Sequence, residues 1–149
     1  MPPIEPVMRS IRDMKSRGEK VYSMAQAVPW YGPPLVALNA WEKRLSDPAL
    51  HLYSPDPGLI SARTALADDF SRRRRLSLDP ETEIHLTCGA SQAFLSALLT
   101  VTDPGDRVLL VEPYYFDHLF AVQFCGNIPV FLPMKETDRW EFPWEALER

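Results

Sequence analysis

Gly89, Ala90 and Ser91 have the residue types and spacing to hold a phosphate group. They follow a short apolar segment, residues 83–87, and open a stretch that is apolar on one side, so the sequence predicts a strand turning through glycine into a helix. The first N–H groups of such a helix have no partner inside it, and the helix dipole adds about half a positive charge there. A phosphate can bind at that point without any Lys or Arg. The competing reading is a tight strand-to-helix turn with Ser91 as a helix cap.

Three more places carry candidate chemistry. Tyr115 lies just past the predicted strand at 107–111, where open α/β sheets place their ligands. A core tyrosine in the strand–helix connection is the alternative. Tyr53, in the Pro-rich loop at 51–58, offers a hydroxyl donor or simply orders that loop. Trp30 and Tyr31, in the loop at 27–34, supply two aromatic surfaces. Tyr114 and Phe116 read as packing residues. Arg72 to Arg75 read as the solvated end of a helix, where basic side chains suit the dipole. His51, His85 and His118 have no neighbours that suggest a triad or a metal site, and each reads as structural or surface.

The elements that must position these groups follow from periodicity. Ile4, Val7, Met8, Ile11 and Met14 recur at helical spacing, with Gly18 placed to end the helix. Leu35, Leu38, Trp41 and Leu45 mark a second helix entered through Pro34 and stopped by Asp47-Pro48. Leu59, Ala62, Leu66 and Phe70 mark a third. From residue 83 onward strands and helices alternate: strand 83–87, helix 90–101, strand 107–111, helix 116–124 and strand 128–132. Residues 107–111 are nearly all apolar, as in a strand covered on both faces. This order predicts a doubly wound α/β fold with a parallel sheet beside a helical N-terminal arm. A last helix is predicted from Pro143, and the sequence stops within its second turn. That stop suggests a truncated unit.

Composition narrows the function. The 149 residues are 46% hydrophobic and 24% charged, which are globular values with enough chain for one core. A net charge of −4 offers no broad basic surface for nucleic acid. Cys88 and Cys125 lack metal-ligand spacing and fit a reduced, cytoplasmic compartment. No apolar run reaches the ~18 residues of a membrane span, and the N-terminus lacks a secretion-signal pattern. The expectation is a soluble cytoplasmic protein that partners neither membranes nor nucleic acid.

Five stretches occur together in an order that resembles the N-terminal part of class I/II aminotransferases, the fold-type I pyridoxal phosphate enzymes. They are Ala27-Val28-Pro29, Tyr53-Ser54-Pro55-Asp56-Pro57-Gly58, Gly89-Ala90-Ser91-Gln92-Ala93, Asp103-Pro104-Gly105-Asp106-Arg107 and Glu112-Pro113-Tyr114-Tyr115. The resemblance implies an incomplete aspartate aminotransferase-like fold. Residues 1–50 would form the N-terminal arm and small-domain segment, and 51–149 the first part of the cofactor-binding large domain. It implies pyridoxal 5'-phosphate as cofactor, with its phosphate on Gly89, Ala90 and Ser91 and its ring under Tyr115. Tyr53 would reach across a homodimer interface to the partner's cofactor phosphate. Ser91 and Tyr115 should then border one space wide enough for a flat heterocycle.

Ala27 and Trp30 fall where relatives contact substrate. The family usually has glycine at the position of Ala27, so a methyl group crowds the substrate carboxylate or shifts the loop. Trp30 and Tyr31 favour apolar or aromatic substrates. The implied reaction moves an amino group between an α-amino acid and a 2-oxo acid. The Schiff-base lysine, the acidic partner of the pyridine nitrogen and the carboxylate-binding Arg come later in the family's order. Lys15, Lys20, Lys43 and Lys135 match none of those contexts, so no catalytic residue is assigned and inactivity alone is expected. Later strands of the fold separate its first strand from the next two, so strands 83–87 and 107–111 should lack their sheet neighbours. Two alternatives stay open: a lyase or synthase of the same superfamily, and a non-catalytic truncated product or dimer partner.

Overall fold

Residues 3–147 are described by a computed structural model, which divides into two units, Met1–Ser54 and Pro55–Arg149. The first unit opens with α1 (Ile4–Ser16), whose half-buried Ile4, Met8, Ile11 and Met14 form the anticipated stripe. Gly18, at φ +79°, donates to the Lys15 carbonyl and turns the chain out of the helix. α2 (Leu35–Glu42) follows Pro34, and a 3₁₀ turn (Pro48–His51) is capped by Asp47, whose carboxylate accepts the Ala49 N–H at 3.0 Å. α2 stops short of Leu45. Among the described residues of this unit no side chain is buried, so no packing force carries the helix onward.

The second unit contains α3 (Ile60–Arg74), α4 (Ala90–Val101), β1 (Arg107–Glu112), α5 (Phe116–Phe124), β2 (Ile128–Pro133), a 3₁₀ turn (Glu136–Asp138) and α6 (Trp144–Leu147). β1 and β2 pair in parallel, from Arg107 opposite Ile128 to Glu112 opposite Pro133. α5 forms the crossover that a parallel pair requires. Leu98 of α4, Leu110 of β1 and Val122 of α5 form the core, with Phe94, Val108, Tyr114, Leu119, Ala121 and Cys125 packed against it. Val122 is wholly buried. The buried Asn127 side chain donates to Thr102 Oγ1 at 2.7 Å and ties the end of α4 to the start of β2.

Residues 83–87 form no strand, which corrects the expected first strand. The segment has no regular secondary structure, and its Leu86 N–H donates to the Pro57 carbonyl at 3.0 Å. A strand exists only with ladder partners, and β1 pairs with β2 alone among the described residues. The separation of this segment from β1 and β2 is what the family topology implies.

Two devices hold the segment in place. Arg63 of α3, 4% exposed, donates to the carbonyls of Gly58 (3.1 Å), Glu81 (3.2 Å) and Pro80. Gly58, at φ +94°, lies so close to Leu86 that a Cβ on it would sit 2.6 Å from Leu86 Cδ1. The loop before α3 and the approach to α4 are thereby fixed against each other.

Candidate phosphate cradle and aromatic plate

The approach to α4 is a sharp turn. Gly89 N–H donates to the Thr87 carbonyl at 2.8 Å, and Thr87 Oγ1 donates to the Gly89 carbonyl at 3.1 Å. Gly89 has φ +85° and ψ +172°, a region that is essentially reserved for glycine. The Gln92 side chain folds back to accept the Cys88 N–H at 2.6 Å. α4 has no side-chain cap, and its first intrahelical bond is Ala93 N–H to the Gly89 carbonyl. The N–H groups of Ala90, Ser91 and Gln92 therefore have no acceptor among the described residues. A Cβ built on Gly89 meets nothing within 4 Å, and Gly89, Ala90, Ser91 and Gln92 are all exposed. Exposure, three free N–H groups and a helix N-terminus fit an anion such as a phosphate ester.

Ser91 does not cap the helix. Its hydroxyl donates to Asp117 Oδ2, in the first turn of α5, at 2.8 Å. Tyr115, at the N-cap of α5, is 53% exposed. Its phenol is held above the ordinary tyrosine value, first by its hydrogen bond with the Asp117 carboxylate, then by desolvation, then by that carboxylate's charge. Ser91 borders a hollow of about 280 Å³ with Leu95, Asp117, Phe120, Ala121 and Phe124. Tyr115 borders another, of about 380 Å³, against β1, Phe94 and His118, so the two side chains line separate hollows and not the single space expected from the sequence.

The Tyr115 ring stands edge-on to His118 (centroids 5.8 Å apart) and tilted against Phe116 (4.8 Å). His118 in turn stacks on Phe94 at 4.1 Å. Tyr114 turns inward and stacks on Phe131, as a packing residue should. Sequence reasoning missed Asp117 and set His118 aside as structural. Their one available signal was their position two and three residues beyond Tyr115, on the opening turn of the helix it caps.

Ala27, Trp30 and Tyr53 belong to the first unit, and all three are exposed. Trp30 and Tyr31 pair edge-to-face with ring centroids 5.9 Å apart. Among the described residues, no group of three or more His, Cys, Asp or Glu side chains could hold a metal ion, and no helix is long and apolar enough to cross a membrane.

The family model for aminotransferase class I and II matches residues 19–149. An aromatic aminotransferase of Arabidopsis thaliana, ISS1, is 33% identical over 144 residues, and an aromatic-amino-acid aminotransferase of Thermococcus litoralis is 28% identical over 142. These alignments take in 97% and 95% of this chain and 36% of each relative, so the chain spans little more than a third of their length. The solved aromatic aminotransferase of Pyrococcus horikoshii superposes with a TM-score of 0.80 at 29% identity, over 93% of this chain and 37% of that one. Enzymes of this family depend on pyridoxal phosphate. The chain belongs to the class I and II aminotransferases, and its helices and parallel strand pair are part of their fold.

Proposed function

We propose that this chain supplies the phosphate cradle and the ring-stacking plate of a pyridoxal phosphate-dependent aminotransferase. Such an enzyme moves an amino group between an α-amino acid and a 2-oxo acid. The observation that carries the reading is the set of three free N–H groups on the exposed residues Ala90, Ser91 and Gln92. The bound cofactor would supply an electron sink for the substrate's α-carbon. Gly89, Ala90 and Ser91 hold its phosphate, and the half-exposed Tyr115 ring offers a face to its pyridine.

An aromatic amino acid is the substrate class that fits best. Trp30 and Tyr31 present an exposed aromatic pair in the loop that includes Ala27. The three relatives described above are aromatic aminotransferases by name. The working assembly in this reading is a cytoplasmic homodimer, with residues 1–50 as arm and small-domain segment. Tyr53, fully exposed, reaches the cofactor phosphate of the partner subunit. Catalytic proton transfer needs a lysine in a context that Lys15, Lys20, Lys43 and Lys135 do not match, so this chain alone does not transaminate.

Ala90→Pro tests the reading cleanly. Proline is tolerated at the first position of a helix, yet it deletes one of the three donors. Loss of one hydrogen bond to a charged ligand, about 1.5–3 kcal/mol, should weaken pyridoxal phosphate binding about tenfold or more by fluorescence titration. Affinity for pyridoxal, which lacks the phosphate, should not change. Equal phosphate affinity in the variant and the parent would refute the cradle. Borohydride reduction of the loaded chain should leave all four lysines without stoichiometric label, and one labelled lysine would overturn the claim of inactivity.

A further inference from the structure

The Ser91 hydroxyl has one hydrogen, and Asp117 has it. A phosphate oxygen can only accept from Ser91, so the hydroxyl cannot donate to the carboxylate and to a phosphate at once. At 2.8 Å the bond to Asp117 Oδ2 has a charged acceptor, which makes it one of the stronger kinds of hydrogen bond. Asp117 makes no ion pair among the described residues, so no cation cancels its charge beside the cradle. The backbone N–H groups attract an anion, and Asp117 repels one.

We propose that Asp117 competes with phosphate for the Ser91 hydroxyl and so holds the cradle's affinity for phosphate esters below what its donors alone would give. The inference rests on the cradle reading above. It makes Asp117 a positioning residue that acts through Ser91. Releasing Ser91 does not strand the carboxylate. Asp117 lies in the first turn of α5, where the helix dipole favours a negative charge. The exchange is therefore a transfer of one donor between two anions.

Binding of inorganic phosphate, pyridoxal phosphate and pyridoxal to the 149-residue chain and to Asp117→Ala, Asp117→Asn and Ser91→Ala tests this by calorimetry. Asp117→Ala should tighten inorganic phosphate and pyridoxal phosphate about tenfold, which is about 1.4 kcal/mol. Asp117→Asn, which removes the charge and keeps an acceptor, should give a smaller gain. In the Ser91→Ala background the gain from Asp117→Ala should shrink, because no hydroxyl is left to release. Pyridoxal affinity should stay level throughout.

Phosphate binding that is unchanged or weaker in both Asp117 variants overturns the proposal. Where Asp117→Ala fails to fold, the near-isosteric Asp117→Asn decides alone. Ala90→Pro separates the two failures. If it weakens phosphate binding while the Asp117 variants change nothing, the cradle stands and the competition falls. If no variant binds phosphate, both fall.

Discussion

Gly58→Ala should loosen the path into the cradle, and the structure gives the size of the effect. The new Cβ would lie 2.6 Å from Leu86 Cδ1 and 2.8 Å from both its Cβ and Cγ. The Leu86 Cβ is fixed by the backbone, so a rotamer change, which moves only Cγ and the atoms beyond it, cannot clear the clash. Overpacking of this kind costs about 1–3 kcal/mol. The residue also sits at φ +94°, where a side chain costs about 1–2 kcal/mol more. Together the loss should be about 2–5 kcal/mol in urea unfolding followed by circular dichroism. The Leu86 amide, which donates to the Pro57 carbonyl at 3.0 Å, should also lose protection against hydrogen exchange. Adding Leu86→Ala removes Cγ and Cδ1 but leaves Cβ and the backbone strain, so the double variant should recover only part of the loss. A change below about 1 kcal/mol, or full recovery in the double variant, would refute the claim that backbone proximity fixes this joint.

Arg63→Met should cost about 3–5 kcal/mol in the same assay, because it leaves the carbonyls of Gly58, Pro80 and Glu81 without their charged donor. Arg63→Lys should rescue little, since one ammonium cannot reproduce the guanidinium fork. Glu81→Ala should change little, because its carboxylate lies 3.9 Å from the guanidinium and is mostly exposed. Tyr115 should titrate above the ordinary phenol value near 10, and Asp117→Asn should lower it, as read by absorbance at ~295 nm against a Tyr115→Phe blank. The sign follows from the neutral phenol being favoured in the folded chain: its contribution is complete below the unfolded value and is lost as pH rises through the folded one. A Tyr115 titration that Asp117→Asn leaves in place would contradict the assigned cause.

What the sequence made legible was local, and what it hid was pairing. The limits of α5, 116–124, and of α4, 90–101, follow from apolar periodicity between Gly and Pro-Gly punctuation, because neighbours along one chain decide both. The parallel pairing of β1 and β2 follows from a helix-length connection, which leaves few other topologies. Residues 83–87 have the composition of a strand, but a strand also needs a partner, and composition says nothing about who supplies it. Gly58 reads as a turn residue, while the need for glycine there comes equally from Leu86, 28 positions later in sequence. Asp117 shows the same limit at the site. The sequence near Ser91 marks a hydroxyl at a helix N-terminus and thus a donor for phosphate. The acceptor that holds this donor comes from another helix, 26 residues away. Residue types therefore identify the kind of ligand, whereas the strength with which it is held depends on a contact that only the fold creates. A cradle with the same Gly-Ala-Ser and a neutral residue at position 117 would read identically in sequence around α4 and should bind phosphate more tightly.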